Sequence, residues 1–193
     1  MKKLFPILAI ALLSATAQAS DQPMVDLPSD DQVIQSIEFK GKEGVKAQAA
    51  IIRMDEESDP SLMITHQKPN DVRYYHVLDN EKLGLSVGGM ADTESSLAVA
   101  PNGSLQIKQQ NASVGRNRWK RTLTISFRKG AYVVSGFTYA ERDTLEPNSG
   151  GSCDYNLLTG KGTRDLKKVK VKAKSLPLAS LEDSEKLYSC KGW

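Results

Sequence analysis

Residues 119–139 read WKRTLTISFRKGAYVVSGFTY. In the first half Leu123, Ile125 and Phe127 share one face while Arg121, Thr122, Thr124, Ser126 and Arg128 are polar. That two-residue alternation belongs to a β-strand. Lys129-Gly130 reads as a tight turn, and Ala131 to Tyr139 as the returning strand. A slip of one residue would reverse the faces, so burial itself sets the register. This hairpin is expected to carry the core.

The same pattern extends in both directions. Pro101-Asn102-Gly103 is a strong hairpin signal between strands at Leu97 to Ala100 and Leu105 to Gln109. Upstream, Ala47 to Met54, Ser61 to His66, Val72 to Leu78 and Leu83 to Val87 alternate between Asp-Pro, Pro-Asn-Asp and Asp-Asn turns. Ser29 with Gln32 resembles a capping box, predicting a short helix or turn over Asp31 to Ile37. Downstream come a flexible excursion from Glu141 to Ser152, a strand at Cys153 to Leu158, a turn at Gly160 to Gly162 and a strand at Lys167 to Lys174. Strands follow one another without helical runs between them, which excludes parallel βαβ architecture. The expected fold is mainly β: an antiparallel sandwich or strongly twisted sheet, one domain, with at most one or two short helices.

The chain has 193 residues, 25% charged and 39% hydrophobic. This mixture excludes a disordered chain, a coiled coil or a collagen-like repeat. Lys2 and Lys3, the apolar run Leu4 to Leu13 and the small residues of Ala17-Gln18-Ala19 form an export signal, with cleavage expected between Ala19 and Ser20. Leu4 to Ala19 is too short for a ~30 Å hydrocarbon layer and contains Pro6. The expected organisation is a signal peptide over residues 1–19, a flexible leader over 20–31 and a β-rich domain over 32–193. No membrane span is expected after cleavage, and the expected compartment is the periplasm.

Cys153 and Cys190 are the two cysteines. In an oxidising compartment they should form one disulfide, stabilising by roughly 4 kcal/mol on the loop-entropy model. Other chemistry finds little support. Gly84-Leu85-Ser86-Val87-Gly88 matches a nucleophile-elbow pattern, yet His66 and His76 both precede Ser86 and no helical run follows. The two histidines alone do not make a metal site, and Asp55, Glu56, Glu57 and Asp59 lack the spacing of a calcium loop. No catalytic residue, metal ligand or cofactor is assigned.

Charge is more informative. Residues 20–100 hold seven Lys and Arg against fifteen Asp and Glu, a net of −8; residues 101–193 hold seventeen against eight, a net of +9. Two basic groups are candidate binding surfaces: Arg116, Arg118, Lys120 and Arg121 beside Trp119, and Lys168, Lys170, Lys172 and Lys174 alternating along a strand with Val169, Val171 and Ala173. Such lysines resist sheet-to-sheet aggregation on an exposed edge. They also suit docking of an acidic protein or an anionic glycan or lipid head group. Aromatics at 6% and export argue against nucleic acid.

The Trp119 strand, the glycine-aromatic strand Val133 to Tyr139 and the turn Asn156-Leu157-Leu158-Thr159-Gly160-Lys161 follow in order. In this the chain resembles a group of uncharacterised bacterial periplasmic β-rich proteins from Leu97 onward. The resemblance implies a small exported domain and carries over no catalytic residue. Asn156, Thr159 and Gly160 themselves read as turn chemistry. The function expected is non-enzymatic binding of a protein or anionic envelope component. A small cell-envelope hydrolase using Asp143, Glu146 or Asp154, and a secreted inhibitor or immunity-like protein, are the alternatives.

Overall fold

The computed structural model describes residues 22–23, 28–41, 44–66, 75–76, 83–87, 93–172, 174–178, 181, 187 and 189–192. Its strands in chain order are β1 (Gln22–Pro23), β2 (Val33–Lys40), β3 (Lys46–Ile52), β4 (Ser61–His66), β5 (Tyr75–His76), β6 (Glu94–Val99) and β7 (Leu105–Asn111). There follow β8 (Asn117–Arg128), β9 (Ala131–Asp143), β10 (Gly150–Asn156), β11 (Lys161–Arg164), β12 (Lys167–Lys170) and β13 (Leu176–Pro177). All pairings are antiparallel, in an eight-stranded sheet of order β12-β11-β10-β9-β8-β7-β6, a three-stranded sheet β2-β3-β4 and the short pair β1-β5. In the eight-stranded sheet β13 continues the line of β10 along β9, pairing Leu176 with Val134. The mainly β fold expected from sequence is what the chain forms, and among the described residues no helix reaches seven residues.

The central hairpin is β8–β9. Lys129 (φ 50°) and Gly130 (φ 86°) make its two-residue turn, with both residues in the left-handed region that matches the twist of the strands. Leu123, Ile125, Tyr132, Val134 and Phe137 are buried in the core between the sheets, opposite Ile51, Leu62 and Ile64 of the smaller one. Inward residues of β9 change parity between Val134 and Phe137. The cause is a bulge: Thr124 pairs with Gly136 but Ile125 with Val134, leaving Ser135 as the extra residue. Its hydroxyl donates to the Thr124 carbonyl (3.1 Å) and meets Ser126 Oγ (2.8 Å), so the buried polar group is satisfied.

Several expectations change. In place of the short helix or turn expected over Asp31 to Ile37, a single turn of 3-10 helix covers Asp30–Gln32, in which Gln32 Oε1 accepts from the Ser29 N–H and hydroxyl (2.9 and 3.0 Å). Val33–Lys40 is then a strand, because Ile37 and the buried Phe39 alternate with exposed Ser36, Glu38 and Lys40, while a register shift after Val33 turns that residue to the other face. The stretch Gly160 to Gly162 is not wholly a turn. Gly160 (φ 69°) ends it, and Gly162 lies within β11, where a Cβ would fall 2.2 Å from the Asp154 carbonyl oxygen. The expected strand Lys167 to Lys174 stops at Lys170. Of the leader, Gln22–Pro23 is paired with Tyr75–His76, so these two residues are not free. The excursion after Glu141 shrinks to residues 144–149, since Glu141 to Asp143 and Gly150 to Ser152 extend β9 and β10. The expected strand Leu83 to Val87 is irregular, and of Val72 to Leu78 only Tyr75–His76 lies within the described residues. The export signal and its cleavage point, Ala19 and Ser20, lie outside the described residues.

Candidate binding surface

The two edges of the large sheet are finished differently. Along β6 three of the outward backbone groups are taken up. Ser95 N–H donates to the Ser86 carbonyl (2.7 Å), and the Gln35 side-chain amide makes a two-point contact with Leu97, accepting from its N–H (2.8 Å) and donating to its carbonyl (3.2 Å). The Gln35 amide thus imitates a paired strand. At the far edge, no strand among the described residues pairs with β12 beyond β11.

The register of that open edge follows from one bond. Val171 N–H donates to the Gly160 carbonyl (2.8 Å), so antiparallel alternation makes Val169 with Gly162 and Lys167 with Arg164 the hydrogen-bonded pairs. The N–H and C=O groups of Lys168 and Lys170 therefore face away from β11. Their side chains share the outer sheet face with Thr163 and Lys161, directly across the ladder, and with exposed Asp154 and Asn156 beyond. Lys161 stands opposite Lys170, and Arg164 opposite Lys167, like charges where a sheet gains most from opposite ones. Lys172 and Lys174 are exposed too, but lie in the connection to β13. Among the described residues, Lys161, Lys167, Lys168, Lys170, Lys172 and Lys174 make no salt bridge. The partly buried Val169 and Val171 pack against the core from the other face.

The second basic group divides. Arg121 is a correction: it is 1% exposed and leaves the surface altogether. Its guanidinium donates to Gln109 Oε1 (2.7 Å), the Leu187 carbonyl (3.0 Å) and the Leu83 carbonyl (2.6 Å), fastening the 83–87 segment and the C-terminal tail to the sheet. Trp119 shares that inward face and packs against the core. Arg116 pairs with Asp143 and with Glu146 (2.7 Å), holding the Asp143 carboxyl below the usual carboxylate range. Arg118 and Lys120 stay on the outer face, although Arg118 also donates to the Val114 carbonyl (2.7 Å). Directly across from Arg118 is Arg142, which sequence reasoning missed. A cleft of ≈ 370 Å³ opens beside Arg118, Lys120 and Arg142.

The groups weighed for hydrolysis are otherwise engaged. Asp143 and Glu146 share Arg116, while Asp154 accepts from the Thr138 hydroxyl (3.1 Å). Ser86 donates its N–H to Ser95 Oγ (3.0 Å). His66 and His76 lie on strands that do not pair with each other, and their side chains fall outside the described residues. Burial pushes the Tyr139 phenol up, and its hydroxyl donates to Glu141 (3.0 Å). Cys153 and Cys190 stand at disulfide distance, their Cα atoms 5.8 Å apart, tying the tail to β10. The Asn156 turn is structural, its Oδ1 accepting from the N–H groups of Leu158 and Thr159 (3.1 and 3.0 Å). Compared with protein-family models, curated proteins and solved structures, the chain matches none.

Proposed function

We propose that this protein is a non-enzymatic, exported binding protein whose open edge strand β12 receives an extended acidic segment of another envelope protein. The observation that carries the reading is the pairing of outward backbone groups on Lys168 and Lys170 with a surrounding set of uncompensated lysines. Strand addition supplies main-chain hydrogen bonds, and alternate side chains supply selectivity. Acidic residues at alternate positions of an incoming strand would meet Lys168 and Lys170. A second copy of β12 would bring lysine against lysine, so the same charges disfavour self-pairing. Export is supported by the Lys2-Lys3 start with its short apolar run, and by a cysteine pair at bonding distance.

The test is titration with an extended peptide that alternates glutamate with threonine and valine. Replacing Lys168, Lys170, Lys172 and Lys174 with serine should abolish salt-sensitive binding. Lys168→Pro removes one outward N–H while leaving the β11 ladder whole, and should weaken binding on the order of tenfold. Unchanged affinity in the four-serine variant would sink the docking site. Unchanged affinity in Lys168→Pro alone would sink strand addition.

A further inference from the structure

The two most exposed large apolar side chains among the described residues, Leu166 (92%) and Leu145 (74%), occupy the same end of the eight-stranded sheet. Leu166 is at the β11–β12 tip and Leu145 in the β9–β10 loop; the β7–β8 loop adds Val114 (40%) at that end. Scattered exposed leucines need no explanation. These three share a device that does. In each case an Asn or Asp side chain fixes the loop backbone. Asn111 Oδ1 accepts the Val114 N–H (3.1 Å), and Asp143 Oδ1 accepts the Leu145 N–H (2.8 Å). Asp165, beside Leu166, accepts the Ser152 N–H on Oδ1 (2.9 Å) and donates its own N–H to the Ser152 carbonyl (2.9 Å). The apolar tips are held out in water by built geometry.

Leu166 also sits in a left-handed backbone conformation, φ 63°, after Asp165 at φ 48°. The equivalent second turn position between β8 and β9 is Gly130, the residue that adopts such a φ without steric cost. A leucine that is strained and solvated at once gives the fold nothing, and such outliers mark functional positions. Around the tips the outer face presents Arg118 opposite Arg142, with Lys120 beside them, and exposed Lys167 follows Leu166 on the opposite side of β12, the side of Val169. The described acids at this end each have a partner: Asp143 and Glu146 in Arg116, Asp165 in Ser152, Glu141 in Tyr139, and Glu94 in the Gln110 amide (3.2 Å).

We propose that this end of the sheet docks on an anionic lipid surface. Leu145, Leu166 and Val114 enter the head-group boundary, and Arg118, Lys120, Arg142 and Lys167 meet lipid phosphates. Shallow apolar insertion combined with basic charge is the two-part attraction by which peripheral proteins hold a bilayer. The proposal stands apart from strand addition at β12, since it uses the loop tips rather than the outward backbone of Lys168 and Lys170.

The experiment is co-sedimentation of the exported chain, its start at Ser20 verified by intact mass, with phosphatidylglycerol-containing vesicles and with pure phosphatidylcholine vesicles. Wild type should sediment with the former and far less with the latter. Leu145→Asn combined with Leu166→Asn should lower partition by roughly tenfold or more per leucine. Asparagine tolerates the left-handed region, so thermal stability should hold or rise in that variant, separating lost docking from lost folding. Three results overturn the proposal: no sedimentation of wild type with phosphatidylglycerol vesicles, equal binding to both vesicle types, or undiminished binding by the folded double variant.

Discussion

Arg121→Met tests whether the buried guanidinium is a structural fastener. Arg121 is 1% exposed and donates to Gln109 Oε1, the Leu187 carbonyl and the Leu83 carbonyl. Methionine fills similar space without a donor. The Leu83 carbonyl keeps its bond from Gln109 Nε2 (3.2 Å), whereas Gln109 Oε1 and the Leu187 carbonyl lose this donor. A buried acceptor left unsatisfied costs roughly 1–3 kcal/mol, and the apolar methionine returns about 1 kcal/mol, so the net loss should be about 3 kcal/mol. In a domain of this size that lowers the thermal midpoint by roughly 6–12 °C, readable by circular dichroism. Limited proteolysis should show the tail near Leu187 loosened first, because the Arg121 bond to the Leu187 carbonyl is gone and, among the described residues, only the apolar contact of Leu187 and the bonds at the Cys190 carbonyl remain beside the disulfide. A midpoint within about 2 °C of wild type, with the tail still protected, would refute the fastener reasoning.

Gly162→Ala should destabilise by roughly 2 kcal/mol or more, because the new Cβ would meet the Asp154 carbonyl oxygen at 2.2 Å and Tyr155 Cδ1 at 2.7 Å; urea unfolding measures it. Opening the Cys153–Cys190 link by paired alanine substitution should cost about 4 kcal/mol by the loop-entropy relation, read from the same curves. Asp143 supplies a pH signature. Arg116 holds its folded carboxyl below the ordinary value of 3.8, so its stabilising contribution is present above that value and is lost as pH falls through the lower folded one. Wild type should therefore lose more stability on acidification below about pH 4 than Arg116→Gln does; parallel acid unfolding curves for the two proteins would count against the ion pair.

Most of the large sheet was legible because its signals are local. The alternation of Leu123, Ile125 and Phe127, and the turn chemistry of Lys129-Gly130 and Pro101-Asn102-Gly103, each lie within a few residues. Arg121 was misplaced although its odd position sets it on the same face as Leu123. Its charge suggested surface, while its partners come from segments 38 and 66 residues away along the chain. Arg142 was invisible for another reason. Counting back from the Lys129-Gly130 turn without a bulge pairs Arg118 with Glu141. The extra residue Ser135 moves the register by one and brings two arginines face to face. Likewise nothing local announces that the Gln35 amide will close the edge of a strand sixty-two positions on. The lysines of β12 were legible as an alternating pattern, but which of them turn their backbone outward depends on the Val171 to Gly160 bond.

The Gln35 contact with Leu97 bears on valency. A sheet that is open at both ends passes its vacancy along whenever a strand is added, and so can propagate into a fibre. Here the β6 end is closed by an amide that offers no further backbone row. A strand taken up at β12 would end the series on its own far side unless that strand recruited another, and the Gln35 amide obstructs growth at the middle of β6. Under the strand-addition proposal the large sheet would take one guest per molecule, giving a stoichiometric complex rather than a polymer.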